Sequence, residues 1–214
     1  MINIAGSPAA SVSKLGDEFT ESKDGLYGFV STYTFLNNIL VFMSIDFTLD
    51  ELAIKYGSDK SSLAHNYCPF YEQYLPKNPK KLLEIGVKEG ASIRMWKDWF
   101  PETQIFGLDL FEEFPIPDIE GVQFYKGNQV DHLLLEQLRK EDFDIIIDDG
   151  SHISRHQMMT FFGLFNGKQY FIEDLHCCDE SEFYGEGLPY GFTAKKIFDG
   201  GIYGVDNKIV LINA

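Results

Sequence analysis

From Lys80 onward the chain repeats one pattern: a short apolar run, a polar break, then a stretch with helical spacing. Runs at 81–85, 104–109, 122–126, 144–148 and 169–173 read as strands, and 91–99, 131–139, 153–164 and 193–198 as helices. Alternation at this spacing predicts an α/β domain, with a mostly parallel sheet and helices on both faces. The end of the chain reads differently. Ile202-Tyr-Gly-Val, a turn at Asp206-Asn207 and Lys208-Ile-Val-Leu-Ile-Asn predict an antiparallel hairpin closing one edge.

Three of the runs finish in carboxylates: Leu83-Glu84-Ile85-Gly86, Asp144-Ile-Ile-Ile-Asp148-Asp149-Gly150-Ser151-His152, and Tyr170-Phe-Ile-Glu173-Asp174. In a parallel sheet such runs are buried, and their polar ends open onto the crevice where ligands bind. The acids and a histidine therefore converge on one rim, an arrangement that suits a hard divalent cation and a general base. Asp148 and Asp149 are adjacent, so in a strand they face opposite ways. Alternation favours Asp149 as the metal ligand, with Asp148 capping the backbone, lying near the cofactor or replacing Asp149.

Glu84-Ile-Gly86-Val-Lys-Glu-Gly90 is a strand end followed by two glycines that let the backbone turn beneath a ligand before a helix. Its spacing is not GxGxxG, and an ordinary strand–helix turn would read the same way. The next strand ends at Asp109, placed to accept hydrogen bonds from ribose hydroxyls. After the third, Gly127-Asn128-Gln129 offers amides that can read an adenine edge. The three together predict an adenosine-containing ligand, and ATP hydrolysis is not expected because there is no Walker A pattern.

The 214 residues are enough for one domain with a full core, and 44% hydrophobic and 15% aromatic content is that of a globular chain. A formal charge of −15, with no basic cluster larger than Lys80-Lys81 or Lys195-Lys196, argues against nucleic acid as a partner. Cys68, Cys177 and Cys178 form neither a disulfide framework nor a zinc pattern, so reduced thiols are expected. No segment reaches the ~18 apolar residues of a membrane span, and no secretory signal opens the chain. A cytoplasmic enzyme with no membrane partner is the expectation.

Residues 1–42 read as an arm, loose over 1–25 and apolar over 26–47, where either a helix or a strand could pack on the domain or on a second subunit. A homo-oligomer is expected. A chain starting at Met43 with an unchanged oligomeric state in size exclusion would reject that contact. Residues 43–80 are expected to be a helical segment covering the site, with Thr48 and Glu51 forming a capping box before a helix over 49–56. Residues 81–214 would form the cofactor-binding core. Asn128 to Asp131 precede the helix at 131–139, and Ser151 with Ser154 can cap the helix at 153–164. Gly57-Ser58-Asp59-Lys60 admits two readings. It is either a lid whose Ser58 hydroxyl and Lys60 ammonium hold a ligand carboxylate, or a helix end closed by Gly57 with surface charges after it. Tyr67 and Tyr71 could pack or line the pocket. Trp96, Trp99, Phe161, Phe162 and Phe165 are expected in the core. His156 lies one helical turn beyond His152, either as an orienting group or as half of a metal-binding HxxxH. His152 could itself be only a capping or packing residue, and His176 is expected in a loop.

Glu84-x-Gly86-x-x-x-Gly90, Asp109 and Asp144–Asp149 resemble motifs of the class I S-adenosylmethionine (SAM)-dependent methyltransferases, which have a Rossmann-like fold. The likeness spans about residues 50–214. With Tyr56-Gly57-Ser58-Asp59-Lys60, His65-Asn66-Tyr67, Tyr71, Asp148-Asp149-Gly150-Ser151-His152, His156-Gln157 and Glu173-Asp174, the chain is similar to the metal-dependent macrolide sugar O-methyltransferases of the mycinamicin type. Cephalosporin hydroxylase-like proteins share much of the pattern. The resemblance implies SAM and Mg²⁺ (or Mn²⁺) as cofactors, Asp149, Glu173 and Asp174 as metal ligands and His152 as the base. Its implied substrate is a small-molecule or polymeric glycoside. Enzymes of this type carry a larger N-terminal region that helps build the substrate site, which leaves the acceptor open. Alternatives are an enzyme on this fold whose histidines and acids hold iron, or a non-catalytic protein of the same fold.

Overall fold

The computed structural model describes residues 32–36, 39–43, 47–175, 196–199 and 208–213. The chain divides into two compact units, Met1–Asp46 and Phe47–Ala214. In the first, β1 (Thr32–Leu36) and β2 (Ile39–Met43) pair antiparallel, with Thr32 opposite Met43 and Leu36 opposite Ile39. Of the two forms left open for 26–47, the strand is the one adopted there. Its β-branched and aromatic residues favour that choice.

The second unit opens with α1 (Leu49–Tyr56). The Thr48–Glu51 capping box is present and Gly57 closes the helix in the left-handed region, at φ 71°. α2 (Cys68–Tyr74) follows, with Pro69 in its first turn. Next come β3 (Lys81–Ile85), α3 (Ala91–Trp99), β4 (Gln104–Asp109), β5 (Val122–Lys126), α4 (His132–Arg139), β6 (Ile145–Asp148), α5 (Ser154–Leu164), β7 (Gln169–Ile172), β8 (Lys196–Asp199) and β9 (Lys208–Ile212). The sheet runs in the order β5-β4-β3-β6-β7-β9-β8. β5, β4, β3, β6 and β7 are parallel, and β9 and β8 add an antiparallel pair.

Two expectations are corrected. Residues 196–199, assigned to a helix over 193–198, form a strand because Ile197 pairs with Val210 and gains a ladder. An antiparallel pair does close one edge of the sheet, with β9 beside β7 and β8 outermost; residues 202–207 lie outside the described residues. The α5 N-terminus is the second correction. Ile153 occupies the cap position without a side-chain hydrogen bond, and Ser154 is buried as the first helical residue. Asp131 does cap α4, accepting from the backbone N–H groups of Leu133 and Leu134.

Strand alternation sorts the core into two layers. Leu82, Ile105, Ile145, Ile147 and Phe171 pack with α1, α2 and α3 residues such as Leu49, Tyr71 and Trp96. Leu83, Phe106, Ile146, Tyr170 and Ile172 pack with Leu135 of α4 and Phe161 of α5. Phe162, expected in that core, is 52% exposed, because the helical period turns it away from its buried neighbour Phe161. No helix among the described residues is long and apolar enough to cross a membrane.

Candidate active site

Register decides which side chains meet. Ile85 pairs with Asp148 and Asp148 with Ile172, so Glu84, Asp149 and Glu173 emerge on the same face of three neighbouring strands. Asp148 goes to the other face. It is fully buried and accepts hydrogen bonds from the Gln129 amide (3.2 Å) and the Tyr170 hydroxyl (3.2 Å). Burial pushes its carboxyl up to about 6. Asp148 and Gln129, both expected at the cofactor, instead brace the site from beneath. The remaining Gln129 groups are taken by the Ser151 backbone N–H, which it accepts at 2.7 Å, and by Thr160. Asn128 is exposed, and its side-chain oxygen accepts from the Val130 backbone N–H.

A cavity of about 320 Å³ opens at the carboxyl ends of β3, β4, β6 and β7. Five of the residues singled out in the sequence line it: Gly86, Asp109, Asp149, His152 and Asp174. Gly86 has φ +89°, and a Cβ there would collide with the carbonyl oxygen of Asp149, so only glycine lets these two loops touch. Gly90 starts α3 at φ 82°. The Asp109 carboxylate accepts from the N–H groups of Val87 (2.7 Å) and Lys88 (2.9 Å), tying the loop after β3 to the end of β4.

Backbone strain concentrates here. Among the described residues, six non-glycines have positive φ, and four of them, Lys88, Phe111, His152 and Asp174, line this cavity. Such conformations cost roughly 1–3 kcal/mol each and persist where the surroundings over-determine them, as at functional sites.

Asp149, His152 and Asp174 can each offer a ligand atom within 4.8 Å of the others. His152 Nε2 lies 3.8 Å from an Asp174 oxygen, whose partner oxygen accepts from the Tyr67 hydroxyl at 2.8 Å. His65 stacks on Tyr67 and stands 3.9 Å from Asp174. Glu173, expected as a third ligand, lies outside this trio. Its carboxylate accepts from Lys60 at 2.9 Å and from the Tyr71 hydroxyl. Burial, then the neighbouring Asp149, push the Glu173 carboxyl well above the ordinary range.

Lys60 differs most from expectation. It is not a surface lid: the residue is wholly buried, and its ammonium sits 2.6 Å from Asp149, 2.9 Å from Glu173 and 3.3 Å from Glu84. Burial would lower its pKa, but Asp149, Glu173 and Glu84 outweigh that and hold it well above 10.5. Glu84 is equally buried. It accepts from the Ser92 hydroxyl, and burial raises its carboxyl to about 7 despite Lys60. Ser58, buried behind this knot, accepts from the Lys60 backbone N–H at 3.4 Å. Of the alternative reading of this segment, the helix end at Gly57 is observed, but Lys60 after it is buried and not a surface charge.

The sequence reading did not single out Lys88, Phe111, Glu113 and Phe114 as lining residues, although all follow acid- or glycine-terminated strands. Asp59 also lines the cavity. The two tyrosines carried a signal in their spacing: Tyr67 and Tyr71, four apart, reach the adjacent acids Asp174 and Glu173. Ser151 and His156 hydrogen-bond at 3.0 Å outside the acidic trio. His176, Cys177 and Cys178 lie outside the described residues. Cys68 is a buried free thiol.

A carboxylate pair at a strand edge is a fit for a dication. Burial raises the Asp149 carboxyl, and Asp174 raises it further while Lys60 opposes; a positive ion between Asp149 and Asp174 would relieve that repulsion. The two acids offer carboxylate oxygens, with no thiol beside them, as suits Mg²⁺ or Mn²⁺.

No protein-family model matches the chain. Among curated proteins, it is 37% identical to the 8-demethyl-8-(2-methoxy-alpha-L-rhamnosyl)-tetracenomycin-C 3'-O-methyltransferase of Streptomyces olivaceus, covering 59% of this chain and 36% of the relative. It is 34% identical to the mycinamicin VI 2''-O-methyltransferase of Micromonospora griseorubida, covering 66% and 39%. The chain thus matches about two fifths of the length of these relatives, between 36% and 40%. Among solved structures, the MycE methyltransferase of the mycinamycin pathway, in complex with Mg and SAH, gives a TM-score of 0.48 at 24% identity, covering 77% of this chain and 48% of that one. The fibrillarin/Nop5p complex gives 0.53 at 12% identity, covering 85% and 96%, a likeness of fold alone.

Proposed function

We propose that this chain, whose curated relatives are O-methyltransferases of tetracenomycin and macrolide glycosides, carries the catalytic domain of a SAM- and dication-dependent O-methyltransferase acting on a sugar hydroxyl. The observation that carries the reading is the convergence of Asp149, His152 and Asp174 on a cavity floored by the Gly86 turn and walled by Asp109.

The division of labour follows from the donors. SAM supplies a methyl group on a positively charged sulfur, so the acceptor oxygen needs only to lose its proton and be held in line. A sugar hydroxyl is far too weakly acidic to ionise at neutral pH, and a bound dication would favour its deprotonation. Asp149 and Asp174 would hold that ion, with Glu173 adjoining. His152, at the cavity wall beside Asp174, accepts the hydroxyl proton at its imidazole nitrogen. Tyr67 fixes the Asp174 carboxylate and so the direction from which the proton leaves. Gly86 keeps the floor free of a side chain, and Asp109 holds the loop beside the expected ribose.

The test is calorimetric titration with SAM and with MgCl₂, followed by a methyl-transfer screen over glycosides. Saturable binding of both and transfer to a sugar hydroxyl are expected. Failure to bind SAM would end the reading, and activity that requires oxygen would replace it with iron chemistry.

A further inference from the structure

We infer that Lys60 is a positioning residue of this site: an internal ammonium that locks the dication-side acid Asp149 to Glu173 and Glu84. The inference rests on the proposed methyl transfer. The sequence pattern suggested a different role for Lys60, as a group holding a ligand carboxylate.

Glu84, Asp149 and Glu173 come from three different strands and meet on one face, the first and last of them fully buried. Three carboxylates at such range repel one another. One ammonium lies within 2.6 Å to 3.3 Å of all three. A buried ammonium is costly to hold unless its hydrogen bonds are met. Here the direct contacts run to three acids, and the segment carrying Lys60 is pinned at several points. The Lys60 carbonyl accepts from the N–H groups of Tyr67 (2.9 Å) and Cys68 (3.2 Å). The Ser58 hydroxyl accepts from its N–H. The backbone from which the ammonium extends is thus anchored, and the ammonium itself is held by its contacts to the three acids.

Geometry gives the consequence. Lys60 holds one oxygen of Asp149, while the residue as a whole borders the cavity with His152 and Asp174. Gripping one oxygen fixes the rotation of the carboxylate and hence the direction of the other. Glu84 does not line the cavity, but it sits one residue before the Gly86 turn's strand end and is held by the same ammonium. Lys60 thus sets the orientation of the dication-binding acid relative to the cofactor floor without touching either ligand. Groups in this outer position commonly change metal affinity about 10- to 100-fold when removed.

The experiment compares the native chain with Lys60→Met and Lys60→Arg. Each is titrated calorimetrically with MgCl₂ and with SAM, and thermal melts check the fold. In Lys60→Met we expect Mg²⁺ affinity to fall about 10- to 100-fold, SAM affinity to change less than Mg²⁺ affinity, and kcat to fall more than KM for the acceptor rises. Lys60→Arg keeps the charge but not the reach, so it should retain the fold and recover part of the Mg²⁺ affinity. Unchanged or tighter Mg²⁺ binding in Lys60→Met overturns the inference, the tighter case showing that the ammonium competes with the ion. If Lys60→Met does not fold, Lys60→Arg decides: native Mg²⁺ affinity in that folded variant overturns the inference, and weakened affinity supports it. If the native chain binds neither SAM nor Mg²⁺, the proposed function has failed. A native chain that binds both, beside a variant that binds Mg²⁺ equally well, fails on Lys60 alone.

Discussion

The two edges of the sheet carry similar residues and behave oppositely. At the amino edge, Lys80, Lys81, Glu141, Asp142, Asp144 and Lys168 border a cavity of about 640 Å³, twice the size of the one at the carboxyl edge. Yet its charges are matched in the open: Lys81 meets Glu141 at 2.6 Å, and Lys168 meets Asp142 at 3.1 Å and Asp144 at 3.0 Å. At the carboxyl edge one buried ammonium faces three acids, Asp174 lies near one of them, Asp149, and strained backbone gathers around the cavity. Volume does not mark the site. Buried charge left in excess does, because a fold tolerates that cost only where something else will balance it.

The contrast breaks most sharply at the carboxyl edge. Replacing His152 by Ala should reduce methyl transfer about 10²- to 10⁴-fold, the range of a lost general base, while SAM and Mg²⁺ binding stay close to native. Undiminished turnover would remove His152 from the chemistry. Asp149→Ala should abolish Mg²⁺ binding in calorimetry and leave SAM affinity nearly intact; equal loss of both would refute the separation of roles. Gly86→Ala should destabilise the chain by about 2–4 kcal/mol in denaturant unfolding, since the added carbon meets the Asp149 carbonyl in a left-handed turn. A native unfolding midpoint would show that the two loops separate easily.

The sequence made the strand ends legible and left the knot between them unread. The parallel strands follow from short apolar runs, broken in β5 by the exposed Gln123, and alternation alone sends Asp148 and Asp149 to opposite faces. What it could not give was the partner of those acids. Lys60 lies 89 residues before Asp149 and 113 before Glu173, so no local spacing announces the contact. A lysine after a helix-ending glycine reads as surface, and only the three carboxylates make its burial tolerable. Gln129 misled for a related reason: an amide at a strand end can serve a ligand or the protein, and here Asp148, Thr160 and Ser151 take it. The C-terminal pair was legible as antiparallel but not in its order, because inserting β9 beside β7 is a long-range choice.

Acid–base behaviour sharpens the comparison at smaller cost. Burial holds Glu84 up to about 7, above the ordinary 4.5, so the folded chain keeps a proton that the unfolded chain has released. Its contribution to stability is complete below pH 4.5 and is lost as pH rises toward about 7, by on the order of 3 kcal/mol. Glu84→Gln should flatten the thermal-melt profile over that window. Identical profiles would mean that Lys60 keeps Glu84 ionised throughout.

The amino edge should show the smallest effect. Lys168→Met removes an ammonium that is 37% exposed, from a pair set that solvent already screens, so the expected loss is about 0–1 kcal/mol in chemical denaturation. Asp144 would not be stranded. Its other oxygen accepts from the backbone N–H groups of Lys80 (2.6 Å) and Lys81 (3.2 Å), which hold the carboxylate at the start of β6 with or without Lys168. Against burial, the Lys168 ammonium and then those backbone bonds hold the Asp144 carboxyl below its ordinary value. SAM and Mg²⁺ affinities should match the native chain, since this edge is separated from the site by the length of the strands. A loss of several kcal/mol, or weakened SAM binding, would show that the larger cavity is coupled to the smaller one, and the contrast between matched and unmatched charge would no longer tell the two edges apart.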